Sequence, residues 1–78
     1  MPQASKERED LAQADQHIAE GEARLAEQRR LIGQMTENGQ DSAEAEKLAR
    51  NFEETLEQFY VHRQLILNEI VRQEGSEP

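Results

Sequence analysis

Four large apolar residues in the first half of the chain, Leu11, Ile18, Leu25 and Ile32, stand seven positions apart. Seven residues make two turns of α-helix, whereas a strand repeats every two, so this recurrence points to a helix. The positions between them, Ala14, Gly21, Gln28 and Met35, complete a heptad seam over four repeats, half of it small or polar. On a straight helix such a seam drifts by about 20° per heptad, which implies a mild left-handed supercoil. Ala, Glu, Gln, Arg and Leu dominate the surroundings and are strong helix formers; the only prolines are Pro2 and Pro78. "SKERED" reads as the start, with Ser5 as N-cap and acids in the first turn. A weaker stripe, Ala12, Ala19, Ala23 and Ala26, lies further around the helix. Small residues there either admit a close neighbour or simply fill a helix.

A second stripe follows. Ala45, Leu48, Ala49, Phe52, Leu56, Phe59, Tyr60, Ile66, Leu67, Ile70 and Val71 fall in a sector about 140° wide at about 100° per residue. That is wider than a two-stranded seam needs. Val61 and Leu65 lie on nearly the opposite side. The stretch 59–71, "FYVHRQLILNEIV", is therefore apolar around most of its circumference. One partner helix does not cover that, and an exposed patch of this kind usually marks an interface.

Between the stripes stands "NGQDSAE". Gly39 reads as the residue that ends a helix in the left-handed conformation. Asp41 reads as the next N-cap, with Glu44 three residues later completing a capping box. The expected organisation is a single domain: helix 1 at about 5–38, a turn at 39–40, helix 2 at about 41–73, and short flexible tails. A calcium loop is excluded, because alternating acidic or amide ligands before a glycine are missing. So short a connection forces antiparallel neighbours. The fold class is thus all-α, a coiled-coil-like αα-hairpin. Folding back at Gln40 pairs residue i with about 79 − i, so Leu25 meets the Phe52–Leu56 region, Ile18 meets Phe59, and Leu11 meets the Ile66–Ile70 region.

Two helices make a thin core. The large apolar residues available do not offset the entropy of ordering most of the chain by two-helix packing alone. Association follows, most simply a twofold homodimer forming a four-helix bundle. The expected interface set is Leu11, Ile18, Leu25, Ile32, Phe52, Leu56, Phe59, Tyr60, Arg63, Ile66, Leu67, Ile70 and Val71, with 59–71 also available to another protein.

Composition removes several function classes. The 78 residues carry 17 Asp+Glu against 9 Lys+Arg, a formal charge of −8, and no cysteine. Disulfides and thiolate metal sites are excluded, and a phosphate-binding surface for nucleic acid would need the opposite charge. "MPQASKERED" holds no apolar segment of a secretory signal, and no apolar run approaches a bilayer's thickness. A cytoplasmic protein without membrane contact is the expectation. The serines at 5, 42 and 76 have no base in reach and no glycine-rich phosphate loop exists, so no catalytic residue, enzyme activity or cofactor is expected.

Three polar features stand out. Arg63 falls inside the apolar sector of helix 2, among Phe59, Tyr60, Ile66 and Ile70. Either its stem packs while its head reaches solvent, or it pairs with Asp15, Glu22 or an acid of a second chain. His17 and His62 are related by the 79 − i rule and so share one level. With Glu20, Gln58 and Glu69 nearby, they are the candidates for a metal or small-ligand site, the alternative to ordinary flank positions or a pH-sensitive interface. Glu20/Arg24 and Glu46/Arg50 have the favourable i, i+4 order, while Glu53, Glu54 and Glu57 face away from the core, toward solvent, Arg50 or helix 1 arginines such as Arg24.

The succession "HIAEGEARLAEQRRLI", "NGQDSAEAEKL" and "FEETLEQFYVHRQLILNEI" resembles small bacterial helical-hairpin proteins that recur as short open reading frames without assigned function. The resemblance covers residues 11–71. It implies the hairpin fold and carries over no catalytic or ligand residue. The functional expectation is a non-enzymatic interaction or regulatory module acting as a homodimeric hairpin. The alternative is a small bundle binding a metal or other ligand through His17 and His62.

Overall fold

A computed structural model describes residues 4–75. The tails expected to be flexible, including Pro2, Ser76 and Pro78, lie outside these residues. The described chain is two helices, α1 (Ser5–Glu37) and α2 (Ala43–Gly75), of 33 residues each, packed against one another as an antiparallel hairpin. The molecule measures 63 × 15 × 12 Å, a rod one helix pair thick.

The connection starts from Gly39, whose φ of 71° is the only positive value among the described residues. Gln40 N–H donates to the Met35 carbonyl at 2.8 Å and Gly39 N–H to the Thr36 carbonyl at 3.1 Å. Those two bonds make a Schellman motif, which satisfies the last carbonyls of α1 and turns the chain away. The expected start of helix 2 needs correction by a residue or two. α2 begins at Ala43, and Ser42 supplies the first carbonyl, accepting from Glu46 N–H at 2.8 Å. Asp41 does cap, its Oδ1 accepting from Ala43 N–H at 3.0 Å. Glu44 does not close the capping box; Ser42 Oγ instead donates to Glu46 Oε2 at 3.2 Å. At the other end Ala4, not Ser5, is the N-cap of α1, and no side chain caps it. Ala4 is fully buried, at the end of the core cluster that also holds Ala14, Ile66 and Ile70, so packing takes the place of a capping bond there.

The seam repeats by three and four along both helices. In α1 the buried or half-buried positions include Leu11, Ala14, Ile18, Gly21, Leu25, Gln28, Ile32 and Met35; in α2 they include Ala49, Phe52, Leu56, Phe59, Arg63, Ile66, Ile70 and Gln73. This is the heptad read from the sequence, with each helix filling the other's spacing. Gly21 shows why half of the α1 positions are small. A Cβ there would stand 2.9 Å from Leu56 Cδ2, so Leu56 occupies the space that a side chain would take. Gln28 faces a small stretch of α2 and donates to the Ala45 carbonyl at 3.0 Å, so its polar end is satisfied.

The apolar core is in two parts. One holds Ala4, Ala14, Ile66 and Ile70 with Leu11 packed on it. The other holds Ile18, Leu25, Ala49 and Leu56 with Ile32, Phe52 and Phe59. The division falls at Arg63, which occupies a seam position and donates from Nε to Asp15 Oδ1 at 2.5 Å.

Candidate interaction surface

The polar edge of the hairpin explains where Arg63 points. On this edge, partners on α1 and α2 move in lockstep by sevens. Arg8 pairs with Glu74, Tyr60 hydroxyl donates to Glu22 Oε2 at 2.7 Å, and Arg29 donates to Glu53 Oε1 at 3.0 Å. The same step sets Asp15 opposite Leu67, which has no donor. Asp15 therefore takes its bond from Arg63, one turn earlier on α2. Of the alternatives for Arg63, the partner is Asp15; Glu22 is engaged by Tyr60. These pairs are solvent-exposed and individually stabilise little, but together they fix the register of one helix on the other. The Glu22 carboxylate, accepting from Tyr60, holds that phenol above its ordinary pKa.

The expected i, i+4 pairs give way to others. Arg30 binds Glu27 and Arg72 binds Glu69, both three residues apart, and Arg29 rather than Arg24 or Arg50 reaches the acidic cluster at Glu53. Arg72, with Gln73 donating as well at 3.0 Å, lowers the pKa of Glu69 to about 2.

On the opposite edge lie the two histidines. His17 sets its ring against Phe59, with centroids 5.8 Å apart and planes inclined by 35°, and His62 is exposed. Among the described residues no three His, Asp or Glu side chains are grouped to hold a metal ion. Beside His17 a shallow groove of about 260 Å³ runs over Gly21, Leu56, Phe52 and Phe59, with Arg24 and Thr55 at its rim.

The expected interface residues divide into two sets. Leu11, Ile18, Leu25, Ile32, Phe52, Leu56, Phe59, Ile66 and Ile70 line the seam inside the hairpin, with Arg63 interrupting them. Tyr60, Leu67 and Val71 lie off it, because a single facing helix covers a stripe narrower than the sector expected from the sequence. Leu67 is half-buried, whereas Tyr60 (45%), Val61 (57%), Leu65 (61%) and Val71 (68%) are exposed. Val61 and Leu65, one turn apart, present their side chains outward between Tyr60 and Val71. The α1 alanines 12, 19, 23 and 26 are exposed too. No helix among the described residues is long and apolar enough to cross a membrane.

Comparison with family models, with curated proteins and with solved structures finds no match.

Proposed function

We propose that the protein is a non-catalytic interaction module: a helical hairpin that works as a homodimer, joined through the outer side of α2 between residues 59 and 71. The observation that carries this reading is the cluster Tyr60, Val61, Leu65 and Val71, large apolar side chains gathered on one part of one helix and left in solvent by the hairpin's own packing. Single exposed apolar residues such as Leu31 and Leu48 need no explanation, but four between positions 60 and 71 do. The thinness of the core supports the same conclusion. No large side chain is fully buried anywhere in the described hairpin, so each large core residue keeps some contact with water. A second hairpin laid on α2 converts part of that surface into interior. The expected product is a four-helix assembly in which each protomer contributes its α2.

The thermal melt of the helices tests the reading, since association makes melting depend on concentration. The midpoint is expected to rise when the protein is concentrated a hundredfold, and Leu65→Glu is expected to abolish that rise while leaving helicity at low temperature unchanged. A wild-type midpoint independent of concentration contradicts the dimer.

A further inference from the structure

Resting on that dimeric reading, we propose that the second copy packs antiparallel, α2 against α2, with the twofold axis passing near Leu65. The distribution of charge along α2 selects this arrangement. The chain carries a formal charge of −8, so two copies repel wherever their acids are brought together. Residues 58–68, "QFYVHRQLILN", contain no acid at all, and Arg63 is their only fixed charge. Tyr60, Val61 and Leu65 of the exposed apolar group lie within this stretch, and Val71 lies just beyond it. On its N-terminal side stand Glu53, Glu54 and Glu57 without a cation among them; on its C-terminal side stand Glu69, Arg72 and Glu74, where exposed Arg72 pairs with Glu69 and Glu74 pairs with Arg8 of α1.

A parallel pair in register sets Glu53, Glu54 and Glu57 against the same three residues of the other copy, and Arg72 against Arg72. An antiparallel pair turned about Leu65 separates the two acidic stretches and brings each Arg72 within a turn of the partner's Glu57 and Gln58. Arg72 then meets an acid at both ends of the contact, Leu65 meets Leu65 on the axis, and Val61 stands opposite the partner's Glu69, whose carboxylate is paired with Arg72 of its own helix. The acidic stretches at 53–57 of the two copies lie at opposite ends of the pair, which confines the contact to about residues 58–72 and stops the protein from associating further along its length.

The absence of cysteine from the chain makes the geometry directly testable, since each introduced thiol reports one position. A disulfide requires Cα atoms within about 7 Å. In the antiparallel dimer Leu65→Cys lies next to itself across the axis and is expected to oxidise to a covalent dimer. Glu54→Cys, eleven residues away, is separated from its copy by about 33 Å at about 1.5 Å per residue, and is expected to cross-link at least about tenfold more slowly. A mixture of Gln58→Cys and Arg72→Cys chains is expected to form the mixed disulfide in preference to either self-pair. Equal cross-linking at Leu65→Cys and Glu54→Cys overturns the antiparallel arrangement in favour of a parallel one. Light scattering on the wild-type chain separates the two levels of the proposal. A dimer that fails to cross-link at Leu65→Cys overturns the α2–α2 contact and leaves the dimer standing, whereas a monomer overturns both.

Discussion

At the scale of the residue, the same amino acid takes on different meanings according to what stands across the seam. Gly21 and Gly33 are both inside α1, where glycine costs about 1 kcal/mol relative to alanine. A Cβ on Gly33 meets nothing within 4 Å, while one on Gly21 meets Leu56. Gly33→Ala is therefore expected to stabilise the hairpin by about 1 kcal/mol, and Gly21→Ala to forfeit that gain; urea denaturation midpoints of the two variants compare them directly. Arg63 is the converse case, a charge where the pattern asks for an apolar side chain. Arg63→Leu joins the two parts of the core and leaves Asp15 in solvent, so the melting temperature is expected to rise. A fall would mean that the Asp15 pair contributes more than register. Glu69 is the residue whose titration is most displaced, to about 2, by the bonds from Arg72 and Gln73. A depressed carboxylate contributes stability that is present above its ordinary value near 4.5 and fades as the pH falls toward 2. Carbon-detected NMR is expected to place the Glu69 midpoint near 2 and to return it toward the ordinary value in Arg72→Gln.

At the scale of the element, both helices and the way they meet were legible in the sequence, because a heptad states its own period. The spacing of Leu11, Ile18, Leu25 and Ile32 gave the buried face of α1, and the turn signal at Gly39 gave the fold-back and with it the pairing of Leu25 with the Phe52–Leu56 region. The helix starts were less legible. Capping is decided by which of several adjacent polar residues wins the free N–H groups, and at Asp41, Ser42 and Glu46 three compete within six positions. Ion pairing was least legible. The ion pairs that form are either three residues apart within a helix, as Arg30–Glu27, or between helices, as Arg29–Glu53, and the latter depend on register and not on local spacing. The role of Gly39 is the strongest element-level claim. Its left-handed φ strains any residue with a Cβ, so Gly39→Ala is expected to cost about 1 kcal/mol, measured as a lowered denaturation midpoint with the far-ultraviolet helix signal retained.

At the scale of the whole molecule, the hairpin uses one face of α2 to hold α1 and leaves Tyr60, Val61, Leu65 and Val71 uncovered. The sequence announced this surplus as an apolar sector too wide for one partner, but it did not separate seam from surface. Tyr60 and Val71 were grouped with Ile66 and Ile70, and only the packed pair of helices shows which residues the partner leaves outside. The account turns on what covers Val61 and Leu65. Sedimentation equilibrium at tens of micromolar measures it most directly. The expected result is a species of twice 9.0 kDa that reverts to 9.0 kDa in Leu65→Glu without loss of helix; a wild-type species of 9.0 kDa with its helices intact would contradict the account.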